Sequence, residues 1–336
     1  MDEALPPALA AIVAGLPSGV APRLEVRIDT PDLRPWVAGN ALQGVWSFVA
    51  EASGPHVAVV ALTHGNEIGG AVLLDRWLRQ GLRPDRGRLS LVFANLDAFA
   101  HFDPEDPTAS RFVEEDLNRV WDEETLAGGR RSCELRRARA LRPLFAEVDV
   151  LLDLHSMLWP SDPLILAGQP DRARRLALEV GLPPLVVADA GHAAGRRLID
   201  YGPFAAPEGR QTSLLVEAGA HWEAVTVATM EAAAGRLLRL TGTLAGEVAM
   251  DVAALPVPPS RLAEVTRTVT ARTPGFAFLR PFRGGQVVAA RNTLIALDGE
   301  IEIRTPHDDC LLVMPSLRTV PGHTAVRLAR FVGPPG

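Results

Sequence analysis

The 336-residue chain contains no lysine, and all 34 of its basic residues are arginine. This absence excludes a Schiff-base lysine and the lysine of a phosphate-binding loop. The net charge is -6, and acidic and basic residues are intermixed along the chain instead of forming a basic stripe. The composition therefore disfavours phosphoryl transfer and predicts no nucleic-acid partner.

Cysteine and long apolar runs are also scarce. The two cysteines, Cys133 and Cys310, lie far apart, so the sequence does not indicate a disulfide framework. No uninterrupted apolar run approaches the roughly 18 residues of a membrane span. Residues 1–20 lack a basic region and are interrupted by prolines, which argues against a secretory signal. We therefore expect a cytoplasmic protein with no membrane partner.

Strand and helix patterns alternate over most of the chain. Apolar runs predict strands at residues 57–62, 89–93, 150–154, 163–167, 184–188 and 212–217. Helical spacing of apolar residues predicts helices at 67–80, 132–147 and 223–240. This alternation predicts the α/β class, with a mixed sheet that carries helices on both faces.

The pattern changes after the helix at 223–240. A proline-rich stretch from Leu255 to Pro259 predicts a linker, and short β-like runs separated by glycine and proline follow it. Asp298-Gly299 between two of these runs predicts a hairpin. We expect a catalytic domain over residues 1–250 and a small β domain over residues 258–333.

Two of the apolar runs lead into residue types that commonly serve as zinc ligands. His64 and Glu67 follow the run at 57–62, and His155 follows the run at 150–154. An H-x-x-E motif alone is a weak signal, but a catalytic zinc typically uses three such ligands and keeps a fourth position for water. The pattern predicts one zinc ion per chain at His64, Glu67 and His155, although such a site also binds other divalent ions.

Further polar residues lie between and after these ligands. Residues 97–131 form a long polar stretch, which is unusual inside a compact domain unless it is functional. This stretch carries Arg111 and the run Asp116-Leu117-Asn118-Arg119. Glu217 ends the apolar run at 212–217, and loops at strand ends often hold catalytic residues.

In this order the segments resemble the succinylglutamate desuccinylase and aspartoacylase family of the zinc carboxypeptidase clan, over about residues 50–240. The resemblance implies that the C-terminal domain narrows the entrance to the site and that the protein is a homodimer, although no interface is visible in the sequence. It implies these roles: zinc ligands His64, Glu67 and His155; general base Glu217; carbonyl-polarising Arg111; α-carboxylate clamp Asn118 and Arg119; and Asp116 behind the first zinc histidine.

These roles suit the chemistry of the side chains. A carboxylate such as Glu217 takes a proton from water and returns it to a leaving amine. Arg111 would stabilise the oxyanion, and Arg119 offers a planar fork that matches a carboxylate. The expected function is zinc-dependent hydrolysis of the amide bond of a small N-acyl amino acid, such as an N-acetyl or N-succinyl amino acid, with Glu217 as the base.

Other interpretations stay open at this point. Arg111 also suits an exposed ion pair with Glu114 or Glu115. Asp153 competes with Asp116 as the carboxylate behind a zinc histidine, because strand alternation puts it on the same face as His155. A carboxypeptidase for small peptides would use the same clamp in a more open cleft, and a non-catalytic zinc-binding protein would need only the metal ligands.

The chain departs from the family pattern where the substrate side chain is recognised. Family members use tyrosine and arginine there, whereas this chain has a single tyrosine, Tyr201. Candidates for a second carboxylate are Arg196, Arg197 and Arg210, which solvated loop charge explains equally well. Candidates for the pocket wall are Trp159, His192 and His221.

Overall fold

A computed structural model describes residues 24–192, 194–245 and 259–333 of the protein. The predicted linker up to residue 258, and both ends of the predicted domain over residues 1–250, lie outside these residues. Within the described ranges, no helix combines the length and the apolar character needed to cross a membrane.

One large mixed sheet and one small sheet form the framework. The described strands are β1 (Val45–Val49), β2 (Ala52–Ala61), β3 (Arg86–Phe93), β4 (Val150–Met157), β5 (Leu164–Ala167), β6 (Leu185–Ala188), β7 (Thr212–Ala220), β8 (Arg261–Thr270), β9 (Phe276–Phe278), β10 (Val287–Val288), β11 (Leu294–Asp298), β12 (Ile301–Arg304), β13 (Cys310–Val313) and β14 (Thr324–Val332). The large sheet has the order β1-β3-β2-β4-β7-β5-β6-β8-β14-β13-β10, and β12-β11-β9 form the small sheet.

Helices cover both faces of the large sheet. They are α1 (Ile68–Arg79), α2 (Leu96–Phe99), α3 (Glu123–Ala127), α4 (Cys133–Ala146), α5 (Asp171–Val180), α6 (Gly202–Ala205) and α7 (Ala224–Leu240), with 3₁₀ turns at Arg34–Trp36, Leu117–Arg119 and Leu198–Asp200. The predicted strands and helices between residues 57 and 240 are present, so the predicted α/β class is confirmed.

Strand alternation in β2 explains why the two faces have separate cores. Val57 and Val59 pack in a core that includes residues of α1, α5 and α7. Ala58 and Val60 point the other way, into a core that includes residues of α4. Because both faces are covered, the central parallel strands read as nearly continuous apolar runs.

The C-terminal residues contribute to both sheets. β8 pairs in parallel with β6, so the large sheet runs through both predicted domains. The small sheet confirms the extra C-terminal β structure, and β11 and β12 form the predicted hairpin, with Asp298 opposite Ile301. The domain boundary between residues 250 and 258 stays a prediction.

We expect a buried histidine, His56, to make the stability of the fold depend on pH. His56 in β2 is 7% exposed, and its Nε2 lies 2.8 Å from Ser90 Oγ. Burial, with the nearby Arg88 charge, lowers the pKa of His56 to about 4. Because the unfolded chain protonates this ring near pH 6.5, the free energy of unfolding should fall between about pH 6.5 and pH 4, by about 2 kcal/mol after allowance for solvent.

Denaturant unfolding of chelator-treated protein at pH 7.0 and pH 4.5 measures this effect. His56→Gln should show a smaller loss of stability between the two pH values than the wild type. His101→Gln is the matched control, because His101 is exposed and should leave the wild-type difference unchanged. Equal pH dependence in wild type and His56→Gln would contradict the assignment.

Candidate metal centre and active site

The carboxyl ends of three parallel strands bring the predicted site residues together. His64 lies three residues after the end of β2, and Glu67 immediately precedes α1. His155 lies in β4 and is paired in register with Glu217 of β7. Because neighbouring parallel strands end at the same edge of the sheet, residues that are far apart in sequence meet in one cleft.

The three predicted zinc ligands form one buried cluster. His64 Nδ1 lies 2.7 Å from Glu67 Oε1, and His155 Nδ1 lies 3.1 Å from Glu67 Oε2. One ligand atom from each residue lies within 4.8 Å of the other two. Two imidazole nitrogens and one carboxylate oxygen are the donor set of a catalytic zinc site.

The outer nitrogen of each histidine faces a second carboxylate. His64 Nε2 lies 2.9 Å from Asp116 Oδ1, and His155 Nε2 lies 2.8 Å from Asp153 Oδ2. Such a carboxylate fixes the ring orientation and makes the inner nitrogen a better ligand. Asp116 and Asp153, which the sequence offered as alternatives, therefore lie behind different histidines.

The electrostatics of the cluster favour a positive charge at its centre. Burial alone would lower the pKa of His155, but Asp153 and Glu67 raise it well above its ordinary value. Burial alone would raise the pKa of Glu67, but His64 and His155 hold it well below its ordinary value. A site that stabilises the cationic ring of His155 between carboxylates also suits a divalent cation.

The turn that carries the first two ligands is tightly packed. A Cβ atom on Gly65 would lie 2.5 Å from backbone atoms of Ala98, Phe99 and Ser110, so only glycine fits there. The Gly65 N–H donates to the carbonyl of Arg111, and the Ser156 N–H donates to Glu67 Oε2. These contacts fix the ligand turn against the strand and the loop beside it.

Glu217 is a buried carboxylate beside this cluster. Its side chain lines the cleft, and its Oε2 has no hydrogen-bond partner among the described residues. Burial raises the pKa of Glu217 to about 8, although the neighbouring His155 and Arg111 charges oppose this shift. A cation at the cluster would lower the pKa of Glu217 from this raised value. The carboxyl group would then be ionised near neutral pH and able to accept a proton.

Arg111 reaches the cluster from the long loop. Its guanidinium lies 3.2 Å from Asp116 Oδ2 and 3.4 Å from Glu67 Oε1, and its side chain is partly exposed to the cleft. Within the described residues it makes no ion pair with Glu114 or Glu115. Although burial raises the pKa of Asp116, the His64 and Arg111 charges hold it well below the ordinary value, so this carboxylate stays ionised.

Asn118 and Arg119 lie together in the 3₁₀ turn. Asn118 Oδ1 accepts the N–H of Leu198 at 2.8 Å, which leaves its amide N–H groups as donors. Arg119 donates to the Asn118 carbonyl at 2.7 Å, and both side chains line the cleft. Burial lowers the pKa of Arg119 to about 10, so it remains a cation at neutral pH.

The cleft around these residues has a volume of about 740 Å³. Trp159, His192 and His221, the candidate wall residues, all line it. Residues of the C-terminal strands and loops close one side of it, namely Met314, Pro315, Ser316, His323, Thr324 and Arg327.

The arginine and tyrosine candidates for recognition of the substrate side chain either lie outside the cleft or are already held by carboxylates of the protein. Arg197 borders the cleft, but its guanidinium is held by Asp189 and Asp200. Arg196 and Arg210 are exposed outside the cleft lining. Tyr201 is buried in the core and packs against Trp121, 5.7 Å between ring centroids.

Arg327 is the cleft residue that sequence analysis missed. It lies in β14 and is 7% exposed, and its Nε lies 3.2 Å from Asp189 Oδ2. Its two terminal nitrogens have no hydrogen-bond partner in the part of the chain that the structure describes. The available signal was one arginine inside the apolar run Ala325–Ala329, because arginine is rarely buried in a strand without a specific partner or a function.

Comparison with known families agrees with this arrangement. Residues 53–196 match the model described as "Succinylglutamate desuccinylase/Aspartoacylase catalytic domain". Over residues 53–196 the chain therefore resembles the catalytic domain of the succinylglutamate desuccinylase and aspartoacylase family. The match includes every predicted site residue except Glu217, and it also ends before Arg327.

Individual family members are similar over limited segments. The "Probable aspartoacylase" of Parasynechococcus marenigrum (strain WH8102) is 42% identical over 106 residues, which are 30% of this chain and 33% of that protein. The aspartoacylase of Xenopus tropicalis is 32% identical over 111 residues, again 30% of this chain and 33% of that protein. The matches thus span about a third of the length of these curated relatives.

Solved structures share the fold over most of the chain. The succinylglutamate desuccinylase of Vibrio parahaemolyticus has a TM-score of 0.65 and 18% identity, with 87% of both chains covered. The succinylglutamate desuccinylase/aspartoacylase of Rhodobacter sphaeroides has a TM-score of 0.61 and 18% identity, with 86% of this chain and 89% of that chain covered. At this identity the likeness establishes the family fold.

Proposed function

We propose that the protein hydrolyses the amide bond of a small N-acyl amino acid and that the reaction requires one zinc ion per chain. The observation that carries this proposal is the buried His64–Glu67–His155 donor set beside Glu217, a carboxylate without a hydrogen-bond partner among the described residues. A site that only binds zinc gains nothing from such a carboxylate, whereas hydrolysis requires a base.

The metal would be held by His64, Glu67 and His155. When bound, zinc acts as a Lewis acid on a carbonyl oxygen and lowers the pKa of a coordinated water to roughly 7. Glu217 takes the proton from the attacking water and returns it to the leaving amine nitrogen. Arg111, next to the cluster, donates to the oxygen that gains negative charge as the carbonyl carbon becomes tetrahedral.

The part of the cleft lined by Asn118 and Arg119 would hold the amino acid part of the substrate. Arg119 presents a planar guanidinium and Asn118 an amide donor, which together suit the α-carboxylate. Partial burial strengthens such a contact, since little water competes for the guanidinium. This clamp places the scissile amide within reach of Glu217.

Arg327 favours a substrate with a second anionic group. Its guanidinium is buried in the cleft wall with free terminal nitrogens, while Asp189 is already paired with Arg197. A buried cation that has donors to spare is stabilised when an anion arrives. We therefore propose that either the acyl group or the side chain of the preferred substrate carries a carboxylate.

Arg327→Gln is expected to impair dicarboxylic substrates selectively. Loss of a charged hydrogen bond costs about 1.5–3 kcal/mol, so kcat/KM for these substrates should fall by about 10- to 150-fold, mainly through KM. Neutral acyl amino acids should change little. Arg330→Gln, on the exposed side of the same strand, is the matched control and should behave as the wild type. Equal losses for both substrate classes would contradict selective recognition.

A substrate panel tests the proposed function. Amine release is measured from N-acetyl, N-succinyl and N-formyl amino acids and from dipeptides, with protein stripped by chelator and reloaded with zinc. Zinc-restored turnover of acyl amino acids with inert dipeptides supports the deacylase. Turnover of dipeptides would instead indicate the carboxypeptidase alternative, and inert zinc-loaded protein would favour the non-catalytic zinc-binding alternative.

The cytoplasmic location and the homodimer stay predictions. The proposed partner is the small N-acyl amino acid substrate.

A further inference from the structure

Glu134 is a fully buried carboxylate at the start of α4, outside the cleft. Its Oε1 accepts hydrogen bonds from Asn95 Nδ2 at 3.1 Å and from the Val113 N–H at 2.7 Å. Its Oε2 accepts the N–H groups of Glu114 at 3.1 Å and Glu115 at 3.2 Å. Three consecutive backbone amides therefore converge on a side chain that is 0% exposed.

The loop and the helix start are also joined in the opposite direction. Glu114 accepts the backbone N–H of Cys133, and Glu115 accepts the Ser132 hydroxyl. Arg130 makes a further ion pair with Glu115. Side chains of the loop thus bind the start of α4 while Glu134 binds the backbone of the loop.

The loop held by Glu134 carries four of the predicted site residues. Arg111 lies two residues before Val113, and Asp116 directly follows Glu115. Asp116 Oδ1 lies 2.9 Å from His64 Nε2 and accepts the Asn118 N–H at 2.8 Å. Residues 113–115 form no helix or strand, so Glu134 supplies the partners that regular structure would otherwise give their amides.

We propose that Glu134 is a positioning residue for the reaction, which acts through residues 113–115 to fix Arg111 and Asp116 against His64. This inference rests on the proposed function. Catalytic groups must be held closely, and a displacement of about 1 Å costs roughly 10²-fold in rate. Among the contacts that hold this loop, Glu134 is the side chain that binds three of its backbone amides from outside the cleft.

Glu134→Gln tests the inference, because the amide keeps the shape of the side chain but replaces one acceptor oxygen with a donor. Asp298→Asn is the matched control: Asp298 is also buried and accepts the N–H groups of Arg272 and Thr273, but it lies outside the cleft. Both variants should lose thermal stability. Only Glu134→Gln should lose kcat/KM, by about 10- to 10²-fold, in zinc-loaded protein assayed well below its unfolding temperature.

A double-mutant cycle separates positioning from general destabilisation. In an Arg111→Gln background with saturating zinc, Glu134→Gln should reduce kcat/KM less than in the wild type, because Arg111, one of the two groups that it positions, is already gone. The effect of Glu134→Gln on the unfolding temperature should be the same in both backgrounds. If the fold-losses in kcat/KM of the two single variants simply multiplied in the double variant, the proposal would be overturned.

Two readouts do not depend on the proposed activity. Amide hydrogen exchange at residues 113–115 should accelerate in Glu134→Gln. Zinc affinity should fall by about 10- to 10²-fold, because Asp116 no longer orients His64. An inert wild type that shows both effects in Glu134→Gln would refute the deacylase function and retain the positioning of Asp116. Unchanged exchange and zinc affinity would overturn the positioning role itself.

Discussion

Glu217→Gln is expected to reduce kcat by about 10²–10⁴-fold, the range that a general base contributes. Glutamine has nearly the same shape but accepts no proton at neutral pH, so the attacking water keeps its proton. Steady-state amine release with zinc-loaded protein measures the loss. Because Glu217 is not one of the three residues of the metal cluster, zinc content and affinity should stay close to the wild type.

A second glutamate gives the matched control for this prediction. Glu264 lies on β8, is paired with Arg174 at 2.6 Å and does not line the cleft. Glu264→Gln should therefore keep the wild-type kcat. If Glu217→Gln retained most of the activity of a demonstrated hydrolase, another group would have to be the base, and the proposed mechanism would be wrong.

His155→Gln is expected to weaken zinc binding by at least about 10²-fold and to remove the activity. Structural zinc sites release about 10–16 kcal/mol over four ligands, so one ligand corresponds to about 2.5–4 kcal/mol, or about 10²–10³-fold in affinity. This loss of zinc affinity should be larger than the loss caused by substituting a cleft residue outside the metal cluster. Competition with a chromogenic chelator measures the dissociation constants of wild type and variant.

His192→Gln provides the comparison for the metal site. His192 also lines the cleft, but its Nε2 lies 3.2 Å from Thr324 Oγ1 and it is not part of the metal cluster. Its substitution should leave zinc affinity within a few-fold of the wild type. Zinc binding that survives in His155→Gln would show that the metal lies elsewhere.

Much of the site could be predicted because its residues follow apolar runs. The runs before His64 and around His155 identify buried parallel strands, and such strands end at a common edge. Period-2 alternation also placed Asp153 on the same strand face as His155, and the two side chains are indeed in contact. The family was recognisable for the same reason, since its motifs lie in these short local segments.

The features that were missed depend on contacts between distant segments. Arg327 enters the cleft because β14 joins the large sheet through β8, and neither strand was predicted from the sequence. Glu134 looks like an ordinary first-turn helix residue in the sequence. Its function becomes visible only when the amides of residues 113–115 fold back onto it. Hydrophobic periodicity reports on burial but does not report on such pairings.

Zinc titration of chelator-treated protein, followed by amine release from the best N-acyl amino acid, tests the central claim most directly. The account predicts no turnover without metal, a linear rise in rate, and a break at one zinc per chain. His155→Gln should show no such break. Turnover that persists after complete removal of metal, or that saturates without one bound zinc per chain, would contradict a metal-dependent deacylase at His64, Glu67 and His155.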